Sequence, residues 1–519
     1  MTHRYAYWIT AAAVLVALAV AALWTTTLNH DVAWYLHMVD VARRGGHLYR
    51  DVIDTNPPLI IFLLWPSAWL SSIAPISGPN AVRLYECAMA LGSVIVSVRL
   101  ATRVWPRASR EMIGMIGLTI TFVLFPFLRY DFGQREHFAV MLTLPYILLA
   151  AIVPSAVPSG RVRSLIGLAA GLGFSIKPHF AAAWAGVEAC LLFTAREERP
   201  WRRPELAAAL AVAAGYLICL VVWLPDYFQV ARDVIAVYAS QEAGLGVLAA
   251  IPDLVVWAAA AALFAAIRLT PGTRRPVAVL FLAGTGYLIA ALAQRRGWSY
   301  HLYPARALMA LFFVTFALAL FETVPGLLGA IRGGLSSAAL VLSGALVSLG
   351  ARYATVERIP RTPDLVAPLI EIINRERPTG PLASISMRTV IYPAFPVVNE
   401  THATWSLRHN GLWFLPGLYE RELLMPQAET HFRAPADMAP LERRFFEEIV
   451  TDLCATPPGI LLVEPPVAGA PEGRRTLDLV AYYQQDARFR RLFDAYTPLT
   501  RLGTFIVYTG RAGASCRVP

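Results

Sequence analysis

Apolar residues fill the first two thirds of the chain in blocks separated by short loops rich in Arg and Pro. The blocks run over 5–28, 58–74, 82–101, 112–128, 138–153, 165–176, 180–194, 206–224, 247–268, 277–293, 305–322 and 335–351. A bilayer crossing needs roughly 20 apolar residues, so this pattern predicts a polytopic α-helical membrane protein with about 11 to 12 membrane helices. After residue 351 the pattern changes. Apolar runs shorten to strand length at 382–387, 459–463 and 504–507, and amphipathic stretches at 363–375, 440–453 and 477–493 alternate with them. That alternation predicts a soluble α/β domain over 352–519, following a membrane domain over 1–351.

Charge sets the expected orientation. Loops 102–111, 155–164, 195–205 and 268–276 carry clustered arginine, which places them in the cytoplasm. Segments 29–57, 129–137, 177–179, 225–246, 294–304 and everything after 351 then face outward. For an inner-membrane protein the C-terminal domain is therefore expected in the periplasm. Parity allows one full crossing between 29–57 and 102–111. Block 58–74 follows Pro57 and contains Pro66, so it is expected to be juxtamembrane or re-entrant. The short blocks 165–176 and 180–194 are expected to form a hairpin with Lys177-Pro178 at its outward tip.

Composition agrees with this reading. The 519 residues are 57% hydrophobic and 15% charged, which excludes a soluble enzyme for the membrane part, a disordered chain and a disulfide-dense scaffold. The net charge is +10. Residues 352–519 hold 19 Arg against 18 acidic residues, and the preceding part holds 26 basic against 17 acidic. The excess sits in short loops between apolar blocks, so no nucleic-acid footprint remains. Of 45 basic residues, Lys177 is the single lysine. Cys454 and Cys516 can pair if their domain is exported, whereas Cys87, Cys190 and Cys219 lie in apolar segments.

The outward segments carry the candidate chemistry. Asn29, His30 and Asp31 supply helix-capping types and Gly45-Gly46 a stop, so a short helix is expected between them. Asp31 lies in its first turn, at the exit of the first membrane helix. It is either a cap stabilised by the helix dipole or a general base acting on a soluble hydroxyl. Loop 129–137 concentrates Arg129, Asp131, Arg135, Glu136 and His137, as a polar site or as internally paired charge. Lys177 is either a phosphate contact or a lysine snorkelling to head groups. Arg295 and Arg296 lie on the side where positive charge is disfavoured, which suits a phosphate partner. Trp298, Tyr300 and Tyr303 read as an interfacial aromatic belt. Trp405, Arg408, His409 and Trp413 belong to an acceptor groove or to ordinary packing, and Asn399-Glu400-Thr401 fits a glycosylation sequon.

Residues 1–351 resemble the GT-C superfamily of membrane glycosyltransferases. The resemblance rests on Asp31-Val32-Ala33-Trp34-Tyr35 after the first membrane helix, then Gly45-Gly46 and Asp54-Thr55-Asn56-Pro57-Pro58. Arg135-Glu136-His137-Phe138 and the glycine-rich run from Gly167 through Gly173 to Lys177-Pro178 extend it. The nearest groups are the protein O-mannosyltransferases, aminoarabinose transferases and RgtA-like enzymes. The resemblance implies transfer of a sugar from a polyprenyl-phosphate donor to a glycan, lipid or protein hydroxyl at the outer face, with inversion. It implies Asp31 as base, Glu136 as second acid with Asp131 as rival, and Tyr35 and Asn56 in the first-loop site. Lys177, Arg295, Arg296 and His301 would hold the donor phosphate. No cofactor is implied with certainty, and a divalent metal is left open. Val32 stands where many relatives have a second acid, and Asn56 where aminoarabinose transferases have lysine. Two other classes share these features: a transporter or flippase of lipid-linked sugars, and a non-catalytic GT-C-fold partner in polysaccharide assembly.

Overall fold

The computed structural model describes residues 3–106, 108–153, 156–194, 202–237, 243–296, 298–323, 364–376, 378–387, 391–419, 432–466, 477–511 and 515–516. The expected block at 335–351, the domain boundary at 351, and loop residues Arg107, Arg196, Arg199 and Gly297 lie outside them.

Helices occupy every described apolar block. They are α1 (His3–Trp24), α2 (His30–Arg43), α3 (Leu59–Ile73), α4 (Gly78–Val104), α5 (Arg110–Leu124), α6 (Arg135–Ala151) and α7 (Gly160–Ser175). Then follow α8 (Ala181–Thr194), α9 (Pro204–Trp223), α10 (Asp226–Val237), α11 (Ala243–Ala266), α12 (Pro271–Gln294) and α13 (Ser299–Thr323). Among the described residues, six stretches are long and apolar enough to cross a membrane: Ala6–Trp24, Gly78–Val104, Arg110–Asp131, Pro204–Trp223, Gly272–Gln294 and Ser299–Leu320. The chain is thus a polytopic α-helical membrane protein. The 15 residues of α3 reach about 22 Å, short of the roughly 30 Å hydrocarbon thickness.

The bundle is organised around α6, buried along its whole length. It packs on α4, α7, α12 and α13. A helix covered on all sides has no polar face to spend on solvent, which explains its near-continuous apolar sequence.

The expected hairpin is not formed. α7 packs on α9 and α6, whereas α8 packs on α12, so the two diverge at Lys177-Pro178. Small residues decide this. A Cβ at Gly167 would lie 2.2 Å from the Glu205 carbonyl oxygen, and one at Gly171 would lie 2.7 Å from that of Ala209. Backbone-close contact with α9 is worth more to α7 than pairing with its sequence neighbour.

The C-terminal domain is α/β, with a four-stranded sheet in the order β1-β2-β4-β3. β1 (Leu382–Ile385) pairs in parallel with β2 (Ile460–Val463), and β2 pairs antiparallel with β4 (Phe505–Gly510). β3 (Tyr496–Leu502), which the apolar pattern does not reveal, pairs with β4. It is one of the sheet's two edge strands, and its middle residues Thr497, Pro498, Thr500 and Arg501 are the polar and proline types that edges tolerate. Cys454 and Cys516 form a disulfide. The domain rests on α2. The Phe395 ring meets Trp34 edge-on at 5.1 Å, and Asn399 Nδ2 donates to the Ala33 carbonyl at 3.1 Å. That bond occupies the sequon amide.

Candidate functional site

The site is built from the start of α2 outward. Asn29 Oδ1 caps the helix by accepting the Asp31 N–H at 2.9 Å. The same oxygen accepts from Gln134 Nε2 at 2.8 Å, which ties the segment before α6 to α2. Gln134 Nε2 also donates to Asp31 Oδ2 at 2.9 Å. Arg135 stands 3.6 Å from that oxygen, and His30 Nε2 stands 3.5 Å from Asp31 Oδ1. Asp31 retains 21% side-chain exposure, so one edge remains open. Burial pushes its carboxyl up, but His30, Arg135, Gln134 and Lys177 outweigh burial and hold it below the usual carboxylate value. Asp31 is therefore an ionised, partly accessible carboxylate.

The segment before α6 is shaped by Gly133, at φ 83°. A Cβ there would lie 2.1 Å from Glu86 Oε1 on α4. Glycine suits that backbone angle, which residues with a Cβ rarely adopt.

Arg135 and Glu136, adjacent on the first turn of α6, face different partners. The Arg135 guanidinium lies 5.3 Å over the Tyr35 ring, with a side chain only 3% exposed. Its Nε and Nη1 meet no hydrogen-bond acceptor. Unmet donors on a buried guanidinium cost free energy unless a further acceptor is supplied. Glu136 is fully buried and accepts from Lys177 Nζ at 2.6 Å. Lys177 Nζ also donates to Gln294 Oε1 at 2.6 Å, and it lies 5.9 Å from the Tyr300 ring centroid. Burial lowers the Lys177 ammonium to about 8, against the pull of Glu136. His301 Nε2 stands 3.9 Å from Glu136 Oε1. Glu136 Oε2 and His301 Nδ1 are buried without a partner.

The structure thus brings Asp31, Tyr35, Glu136, Lys177 and His301 into one cluster. Lys177 is not a head-group cation at a hairpin tip: it is 5% exposed and packed against a carboxylate. Asp131 sits at the edge of the cluster and accepts from Ser299 Oγ at 3.2 Å. Arg296 is buried, and its charge is felt at His301. Arg295 is exposed, in a left-handed conformation at the end of α12. No described hydrogen bond or ion pair ties it to the cluster. Asn56 bonds Asp54, not Asp31, with its side-chain amide 2.8 Å from Asp54 Oδ1. Burial raises the Asp54 carboxyl, with Arg135 opposing.

Arg135 and Asp54, which fall in the quoted motifs without an assigned role, are central, as are Gln134 and Gln294, which the residue pattern alone does not select. The adjacency of Arg135 and Glu136 was the available signal, since consecutive helical residues point about 100° apart. Among the described residues no group of three or more His, Cys, Asp and Glu side chains is arranged to hold a metal ion.

Beside Lys177-Pro178 an apolar groove of about 500 Å³ runs between α7, α8, α9 and α10. Phe174, Pro178, Trp184, Tyr216, Leu220 and Tyr227 line it.

No protein-family model matches the chain, and no curated protein matches it. Solved structures do. ArnT from Cupriavidus metallidurans bound to undecaprenyl phosphate aligns at TM-score 0.56 and 14% identity, over 98% of this chain and 99% of that one. ArnT in the apo state aligns at TM-score 0.53 and 12% identity, over 99% of each chain. The arabinofuranosyltransferase AftD from Mycobacteria aligns at TM-score 0.50 and 15% identity, over 99% of this chain and 40% of that one. The chain shares the GT-C fold of these structures.

Proposed function

We propose that this protein is a membrane glycosyltransferase. It moves a sugar from a polyprenyl-phosphate donor to an acceptor hydroxyl at the outer face of the inner membrane, with inversion and with its C-terminal domain in the periplasm. The observation that carries the reading is Asp31: an ionised, partly open carboxylate at the exit of α1, 3.6 Å from a guanidinium with unmet donors.

The chemistry suits these groups. As the sugar leaves its phosphate, the phosphate gains negative charge. A donor group aimed at that charge stabilises the transition state more than the ground state. Arg135 has N–H donors to offer, and Lys177 stands next to it, held by Glu136 and Gln294. His301 and Arg296 extend the basic wall. Asp31 takes the proton of the attacking hydroxyl from the opposite face of the sugar, which gives inversion. Tyr35 supports Arg135 by its ring, and Asn56 fixes Asp54 behind it. Asp131 is the rival base at the edge. The apolar groove ending at Pro178 offers a place for a polyprenyl chain whose phosphate reaches Lys177. Undecaprenyl phosphate bound to ArnT, which shares this fold, supports a lipid of that type as donor carrier.

The test is Asp31→Asn assayed with membranes and polyprenyl-phosphate sugars. Transfer is expected to fall by about 10²–10⁴-fold with expression unchanged. Near wild-type transfer would remove Asp31 from the reaction.

A further inference from the structure

A second cavity lies away from the Asp31 cluster. A cleft of about 940 Å³ opens between the C-terminal half of α2, α10 and the C-terminal domain. Its size falls in the range of small-ligand sites. Its chemistry differs from that of the apolar groove.

Among the described residues, six carboxylates line the cleft, namely Asp40, Asp51, Asp226, Asp233, Glu448 and Asp452, against four arginines. Most of these charges cancel in place. Arg408 pairs with Asp452 at 2.6 Å, Arg50 with Asp226 at 2.6 Å, and Arg444 with Asp233, while His409 Nε2 lies within hydrogen-bond distance of Glu448, at 2.8 Å. A polyanion meets more carboxylates than guanidiniums here, and a polycation meets arginines already in front of the acids. What remains is a dense, fixed array of donors and acceptors without a dominant charge, which suits hydroxyl groups.

Three further observations favour a polyol. Trp405, half-buried in the wall, donates its indole N–H to the His409 carbonyl at 3.0 Å, so what it has left for a ligand is its ring. His409 is fully buried, and its Nδ1 has no hydrogen-bond partner. On the α2 side, Asp40, Arg44 and His402 line the cleft and hold no side-chain hydrogen bond or ion pair among the described residues.

Position supplies the length of the ligand. Along α2, at 1.5 Å and about 100° per residue, His37 lies about 9 Å and Arg44 about 20 Å from Asp31, and both lie on the opposite face of the helix from it. A monosaccharide in the cleft leaves its hydroxyls far from Asp31. A chain of several sugars spans the gap.

We propose that this cleft binds a neutral oligosaccharide, the glycan part of the acceptor, whose end passes round α2 toward Asp31. The proposal rests on the glycosyltransferase reading above.

The experiment uses the full-length protein in detergent micelles. The probes are linear neutral hexasaccharides of glucose, mannose, galactose and arabinose, with polyphosphate and polylysine as charged probes, read by saturation-transfer NMR and affinity titration. At least one hexasaccharide is expected to bind. Asp40→Ala with Arg44→Ala should weaken it by about 10-fold or more, as loss of hydrogen bonds to charged groups does. Should that double variant fail to fold, the exposed His402→Ala serves in its place. Binding of no hexasaccharide, binding of charged probes alone, or affinity indifferent to both variants overturns the proposal. Asp31→Asn separates the two readings. If it binds glycan normally but transfers nothing, both stand. If transfer is intact and no glycan binds, the cleft fails alone. If glycan binds and wild-type protein transfers no sugar, the transferase reading fails and the cleft remains a carbohydrate site.

Discussion

Two buried ionic clusters sit at opposite ends of α7. Arg163, near its start, is about 21 Å along the helix from Lys177, just past its end. At the Arg163 end, the guanidinium holds Glu205 through two bonds at 2.7 and 3.1 Å. Arg203 pairs with Glu188, which also accepts from Tyr146. No buried side-chain atom of these five residues lacks a partner. At the Lys177 end, Arg135 Nε and Nη1, Gln134 Oε1, Glu136 Oε2 and His301 Nδ1 all do. The contrast teaches how to tell a staple from a site. Both ends bury charge, but only one keeps hydrogen-bonding capacity in reserve. A saturated cluster fixes helices, whereas an unsaturated one leaves room for a ligand.

Breaking each cluster should give opposite phenotypes. The largest effect is expected at Asp31. Asp31→Asn should lower transfer by about 10²–10⁴-fold, roughly 3 to 5 kcal/mol, with the thermal midpoint unchanged in a melting assay. The saturated end should respond in stability. Glu205→Ala strands Arg163 in a buried place and should cost about 3 kcal/mol, read by thermal unfolding in micelles, with activity per folded molecule retained. If Glu205→Ala instead abolished activity in a fully folded protein, the distinction between the two ends would collapse.

A smaller effect follows from pH. Lys177 has its pKa lowered to about 8. Its charged form therefore dominates below that value and is lost above it. If that charge faces the donor phosphate, transfer should decline as pH rises through about 8, by up to 10-fold per unit. Lys177→Arg should remove that decline. Stability should move the other way. The unfolded chain binds the proton up to its higher, ordinary value, so this group adds stability as pH rises between the two values. Asp31, held below the usual carboxylate range, stays ionised throughout and should contribute no limb above pH 5. The smallest effect is expected at Arg295, exposed and untied to the cluster: Arg295→Ala should change transfer by less than about 2-fold in the same assay, as surface substitutions usually do.

Much of the architecture was legible in the residue pattern. Each described apolar block is a helix, because length and hydropathy suffice where the bilayer leaves the backbone no other way to satisfy itself. The helix after Asn29 and its stop before Gly45 were readable from capping chemistry. β1, β2 and β4 were readable from short apolar runs. β3 was hidden because its middle, Thr497 to Arg501, is left largely exposed and carries no apolar run. The hairpin was misread because sequence distance does not say whether a glycine-rich helix prefers its neighbour or a later partner. In the cluster, Asp31, Glu136 and Lys177 stood out by type and position. Arg135 stood out only as one charge of its loop, and Gln134 and Gln294 did not, since an amide beside a loop has no periodic signature.

The sequence by itself determined that this chain crosses a membrane, where its helices fall, and that acidic and basic residues gather in the segments between them. Those are local consequences of hydropathy and capping, decided over a turn or a span. Only the tertiary structure decided which charges meet. It set Lys177 against Glu136, 41 positions away, and Gln134 against Asp31, 103 positions away. It also left the Arg135 donors open. Whether a buried charge is satisfied depends on groups that the fold alone brings within 3 Å.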